Sequence, residues 1–301
     1  MPRRLPIGAP APMAARPTWF RAVVRASDRV TCFSPRTGLW LAGTAGAFCH
    51  AAGFYGPAAT RITDAFPSLP PRQASRAARS LTRQDVCCRA LDRLLQSDPS
   101  GLRASALLSP PHLERFAARV ADHAGVILLE VHSGPTVGTS LALQRMGRAA
   151  LVIRMSQRGT CLPGFEVASL EGDEQRRAQA LRRGVDWLRA GRPVIIAADS
   201  RTGTLTEPVP CLGRLVRFRR GAFVLARVAP APIVPLFFRW GGGGSRIEMD
   251  AGPRIHPPTF GTAVERETAM AMVVAGWLDE RLRSRPTDLS LALLDWLRGD
   301  R

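Results

Sequence analysis

Between Val126 and Gly147 the chain reads VILLEVHSGPTVGTSLALQRMG: an apolar strand, a turn carrying His132, and a helix. Val126 to Val131 is apolar apart from Glu130 and β-branched at both ends, the composition of a strand buried on both faces. The pattern breaks at Ser133-Gly134-Pro135. Proline suits a first helical position, so the spacing predicts a helix starting at Pro135, capped by Ser133 or Gly134 and stopped by Gly147. A histidine between a strand end and a helix start stands where general-base chemistry is often built.

Downstream, the same unit recurs. Ala149–Ile153, Val194–Ala198 and Ile233–Phe238 are short apolar strands, and a last strand is expected near Arg246–Asp250. Between them, Gln175–Ala190 reads as a helix with Ala178, Leu181, Val185 and Leu188 on its buried side, and Arg220–Ala229 as another. Strand and helix in alternation imply an α/β fold with a mixed, mostly parallel sheet flanked by helices, built from about residues 124 to 253. Ligands in such sheets sit at the carboxyl ends of strands, where His132, Arg154 and Asp199 all fall.

The first hundred residues are organised differently. Residues 1–20 read as a disordered basic tail whose prolines interrupt any apolar core of a signal peptide. Residues 21–110 form an N-terminal helical part, ahead of an α/β core with C-terminal helices over 111–301. Thr37–Thr60 carries no charge and has the length of a membrane span, but its small residues and His50 favour a packed or interfacial helix. Gln73–Leu95 is expected to be helical, and Pro110-Pro111 opens a helix with Leu113, Phe116, Ala117 and Val120 on one face.

Charge narrows the partners. The net +18 comes from arginine alone, for there is no lysine, and a pI near 11.5 implies attraction to anionic membranes, nucleic acid or an acidic carrier protein. Nucleic acid is set aside: the chain has one tyrosine, no aromatic–basic interleaving and no zinc-ligand spacing. No G-x-G-x-x-G follows the first strand and no G-x-S-x-G occurs, which argues against a dinucleotide-binding domain and a serine hydrolase. Six cysteines without a C-x-x-C pair suggest reduced thiols.

The segments RITDAFPSLPPRQASRAARS, VILLEVHSGP, AALVIR, GVDWLRAGRPVIIAADSRTG, VPCLGRLVRFRRGAFVLARVAPAPIVPLFFRW and RPTDLSLALLDWLRG follow one another in that order, within a similarity that covers roughly Arg21 to Arg298. In order and spacing this set resembles the lipid A biosynthesis lauroyl/myristoyl acyltransferases, within the wider glycerolipid and lysophospholipid acyltransferases. The resemblance implies an enzyme at the cytoplasmic face of the inner membrane, peripheral or monotopic. Such an enzyme moves a fatty acyl chain from an acyl carrier protein or coenzyme A thioester to a lipid hydroxyl, with no cofactor beyond that co-substrate. It implies His132 as the base of an H-x4-D/E motif, Arg154 as a phosphate contact, and Asp199, Gly221 and Pro235 as further family positions.

The chain departs from that pattern at Val137, which stands where the motif acid belongs. A carboxylate fixes the tautomer of a base histidine, and its loss can cost ~10⁴-fold by analogy with triad variants. Glu130 is the first substitute considered, because strand alternation puts it on the face of His132; Asp199 is second, and Glu166 a third. The amides of Ser133, Gly134 and Thr136 are candidate oxyanion donors, and Arg154 and Arg158 candidate head-group contacts. Arg214, Arg217, Arg219 and Arg220 form a denser basic run fitting an anionic lipid surface or an acidic carrier protein. The alternative is an inactive relative that keeps the fold as a lipid-binding or regulatory module.

Overall fold

The computed structural model describes residues 18–51, 58–66, 69–120, 125–155, 161–199 and 203–297. Among the described residues six helices come first: α1 (Thr18–Phe33), α2 (Pro35–Ala51), α3 (Ala58–Ala65), α4 (Pro71–Ser97), α5 (Leu102–Ser105) and α6 (Pro110–Val120). The α/β part follows as β1 (Ile127–Glu130), α7 (Gly138–Arg145), β2 (Leu151–Arg154), β3 (Glu166–Ser169), α8 (Glu174–Arg189) and β4 (Val194–Ala197). Then come β5 (Val209–Cys211), β6 (Arg214–Val216), α9 (Gly221–Val228), β7 (Ile233–Gly241), β8 (Arg246–Ala251), α10 (Ala263–Ser284) and α11 (Leu291–Leu297).

The six-stranded sheet has the order β3-β2-β4-β1-β7-β8, parallel except for the β7–β8 pair, while β5 and β6 form a separate antiparallel pair. β1 is central, and alternation along it feeds two cores. Ile127 and Leu129 join Ile196, Phe237 and the apolar faces of α9 and α10, whereas Leu128 joins Ile195, Leu236 and the faces of α4, α6 and α7. Burial on both faces is why these strands read as continuous apolar runs.

Several boundaries moved for identifiable reasons. α7 begins at Gly138, not Pro135, because Thr136 N–H bonds back to Gly134 and Gly138 N–H to Pro135, closing tight turns before α-helical bonding starts. Gly147 does follow the helix end, with φ +66. Within Thr37–Thr60, α2 is described as far as Ala51 and α3 from Ala58, and residues 52–57 lie outside the described residues. No described helix is long and apolar enough to cross a membrane. Of the expected tail, residues 18–20 already belong to α1, and 1–17 lie outside the described residues. The face of α8 expected in the core is split: Leu188 is buried, while Ala178 and Leu181 line a cavity.

Two features close the sheet's β7 side. α10 starts with a reciprocal capping box between Thr262 and Glu265. Its Glu267, almost fully buried, takes Arg220 at 2.6 Å and Arg227 at 3.1 Å, so two cations neutralise the carboxylate that fixes α10 to α9. Further on, Arg239 of β7 holds Glu248 at 2.6 Å, Asp250 at 3.1 Å and Asp288 at 3.5 Å, tying the segment after α10 to the sheet edge.

Candidate active site

His132 and Asp199 lie 67 residues apart in the chain but just past the ends of two neighbouring strands. The β1–β4 register pairs Glu130 with Ala197, so each residue stands two positions beyond a paired strand end. Ala198 N–H still donates to Glu130 O at 2.8 Å. The next ladder bond would run from His132 N–H to Ala198 O, but that carbonyl accepts from Arg219 instead. The Asp199 side chain fills the vacated place: Oδ2 accepts from His132 N–H at 3.1 Å, and Oδ1 lies 2.6 Å from the ring Nδ1. One carboxylate thus holds both the backbone and the ring of the histidine. Asp199 is fully buried, whereas the His132 side chain is 42% exposed.

Glu130, the first sequence candidate, does not orient His132. Its Oε1 accepts from Thr139 Oγ1 at 2.5 Å, and burial pushes its carboxyl up to about 7. Strand geometry explains the outcome. Residues i and i+2 on one strand are roughly 6.7 Å apart, whereas paired strands lie about 4.8 Å apart, so the neighbouring strand offers the nearer acid. Glu166 is remote in role: it sits at the amino end of β3 and pairs with Arg183 at 2.5 Å. Arg158 lies outside the described residues.

The His132 ring opens on a cavity of about 830 Å³ at the carboxyl ends of β1, β2 and β4. Glu130, His132 and Arg154 belong to its wall, with Val137 and Thr136 from the turn before α7. Much of the remainder is apolar, from Leu162, Phe165, Leu170, Leu181, Ile196 and Val224. Arg177, Arg219 and Arg220 add positive charge. Gly221 is in the wall too, where a Cβ would sit 3.0 Å from Ile196, so a glycine lets α9 start close over β4. Arg214 and Arg217, the other members of the basic run, do not line the cavity; Arg214 donates to Asp64 O.

Two expected substrate contacts turn out to be scaffold. Ser133 is fully buried, and its hydroxyl accepts from Phe238 N–H at 2.8 Å. Gly134 packs where a Cβ would lie 2.8 Å from Phe238 O. Neither borders the cavity. The amides of Ser133 and Thr136 are engaged locally, by Val131 O and Gly134 O, which removes them as ready oxyanion donors.

No protein-family model matches the chain, and a search of curated proteins returns no match. The chemistry therefore rests on the site. With Asp199 on Nδ1 and the ring at the cavity wall, the imidazole is held in one orientation and tautomer, the arrangement of a general base. Thr139, Arg177 and Ala292 were not singled out from sequence, because each reaches the site through tertiary packing rather than any local motif.

Proposed function

We propose that the chain is a membrane-associated O-acyltransferase that transfers a fatty acyl group from a carrier-protein or coenzyme A thioester to a lipid hydroxyl. The observation that carries this reading is the Asp199–His132 pair at the wall of a largely apolar cavity. His132 takes the proton of the acceptor hydroxyl as its oxygen attacks the thioester carbonyl carbon. The C–S bond then breaks, and the leaving thiolate takes the proton back from the imidazolium. Asp199 fixes the tautomer and offsets the imidazolium charge. The apolar wall suits an acyl chain, and Arg154, Arg177 and Arg219 suit a phosphate on donor or acceptor.

The test is acyl transfer by purified protein in mixed micelles, with acyl carrier protein and coenzyme A thioesters, lysophospholipid and under-acylated lipid A acceptors, and mass spectrometry of the products. His132→Ala is expected to abolish transfer, and Asp199→Asn to lower kcat by ~10²–10⁴-fold. Val137→Glu is expected to lower turnover, because the acid's role is already filled and a carboxylate would enter an apolar wall. Transfer unchanged in His132→Ala would remove the catalytic reading and leave a lipid-binding module. Restoration or gain in Val137→Glu would argue against Asp199 as the working acid.

A further inference from the structure

We infer that Ser290 is a positioning residue for His132, an inference that rests on the catalytic reading above but is tested separately from it. Two side chains hold the histidine through three hydrogen bonds. Asp199 takes its N–H and its ring Nδ1, and the Ser290 hydroxyl donates to its carbonyl oxygen. Asp199 restrains only the amino side of the residue and the ring. The peptide between His132 and Ser133 is held on its amide side by Ser133 N–H donating to Val131 O. Ser290 holds the same peptide by its carbonyl oxygen. With both ends of that peptide engaged, the backbone that carries the imidazole keeps one orientation.

Ser290 reaches the site because both flanks are anchored. Upstream, Asp288 is held by Arg239, and Gln84 donates to Thr287 O at 3.5 Å. Downstream, α11 is pinned by fully buried Leu293 and Leu294, by Trp296 against Phe218 at 5.0 Å between ring centroids, and by the Trp296 indole donating to Arg217 O at 3.0 Å. The serine also caps α11: its hydroxyl accepts from Leu293 N–H at 3.0 Å. A hydroxyl has one proton to donate and two lone pairs. The donor goes to His132 and an acceptor pair to the helix, so the two roles are separable by substitution.

Glycine is well tolerated at an N-cap, whereas it removes the donor entirely. Ser290→Gly is therefore expected to leave the melting temperature nearly unchanged, lower kcat about 10-fold or more with KM within about twofold, and erase or broaden the far-downfield proton resonance of a His132 Nδ1–H···Asp199 bond. Ser290→Thr keeps both roles and should retain rate and resonance. An unchanged resonance and rate in Ser290→Gly would overturn the inference, as would a loss in Ser290→Thr equal to that in Ser290→Gly. A wild-type chain that transfers no acyl group yet loses the resonance on Ser290→Gly would overturn the proposed function and leave the positioning role standing.

Discussion

Glu130 engages Thr139 rather than His132, and its carboxyl, raised by burial from 4.5 to about 7, gives the fold a pH signature. The folded chain keeps a proton that the unfolded chain releases between about 4.5 and 7. Stability therefore falls as pH rises through that window, the penalty being absent below it and complete above it. Glu130→Gln removes the penalty. The variant should be more stable than wild type at pH 8, by on the order of 1–3 kcal/mol, and little different at pH 4. Thermal melts at the two pH values check this; a gain equal at both would show that burial of charge at Glu130 is not the cause. The same residue shows where sequence reasoning stops. Alternation placed Glu130 and His132 on one face, but which acid reaches the ring depends on strand order and register, and β4 settling beside β1 is not written in either strand.

Elements were legible where a period or a breaker marks them. α4, α6, α8, β4 and β7 follow apolar patterns read directly from the chain. β3, with burial on one position only, and the three-residue strands β5 and β6 are too short to carry a pattern. α10 carries a legible signal in Thr262 followed three residues later by Glu265. The turn after β1 is an element of another kind, held by contact with β7 rather than by its own residues' preferences. Gly134→Ala would push a methyl against the Phe238 carbonyl oxygen and carbon, which are main-chain atoms with little room to yield. The substitution should cost about 1–3 kcal/mol and lower activity with it, since His132 enters the same turn. Chemical denaturation and the transfer assay on the same preparation test the coupling; full activity in a destabilised variant would show the turn to be free of β7.

At the scale of the whole molecule, charge and apolar exposure converge on the N-terminal helices. Arg25, Arg29 and Phe33 follow one outward line on α1, and Arg36, Trp40, Thr44 and Phe48 another on α2, with Phe33 91% and Phe48 65% exposed. Exposed arginines beside aromatics fit an anionic bilayer surface, each cation contributing about 1 kcal/mol near the lipid. The protein should sediment with anionic vesicles at low salt and release at high salt, as screening shortens the reach of charge to roughly 3 Å at 1 M. Trp40→Ala combined with Phe48→Ala should weaken binding at either salt. Retention indifferent to salt, or equal on zwitterionic vesicles, would tell against this surface.

The Asp199–His132 pair also bears on the order of events during folding. Its members come from strands separated by α7, β2, β3 and α8, so the pair forms only after that whole stretch has crossed back and β4 has slotted between β2 and β1. Contacts of such sequence separation form slowly, since loop closure precedes any gain from them. A nascent chain that has paired β1 with β2 by mistake can bury the same apolar strands and still lack the histidine–carboxylate contact. That contact is therefore a reporter of β4 having taken its place between β2 and β1.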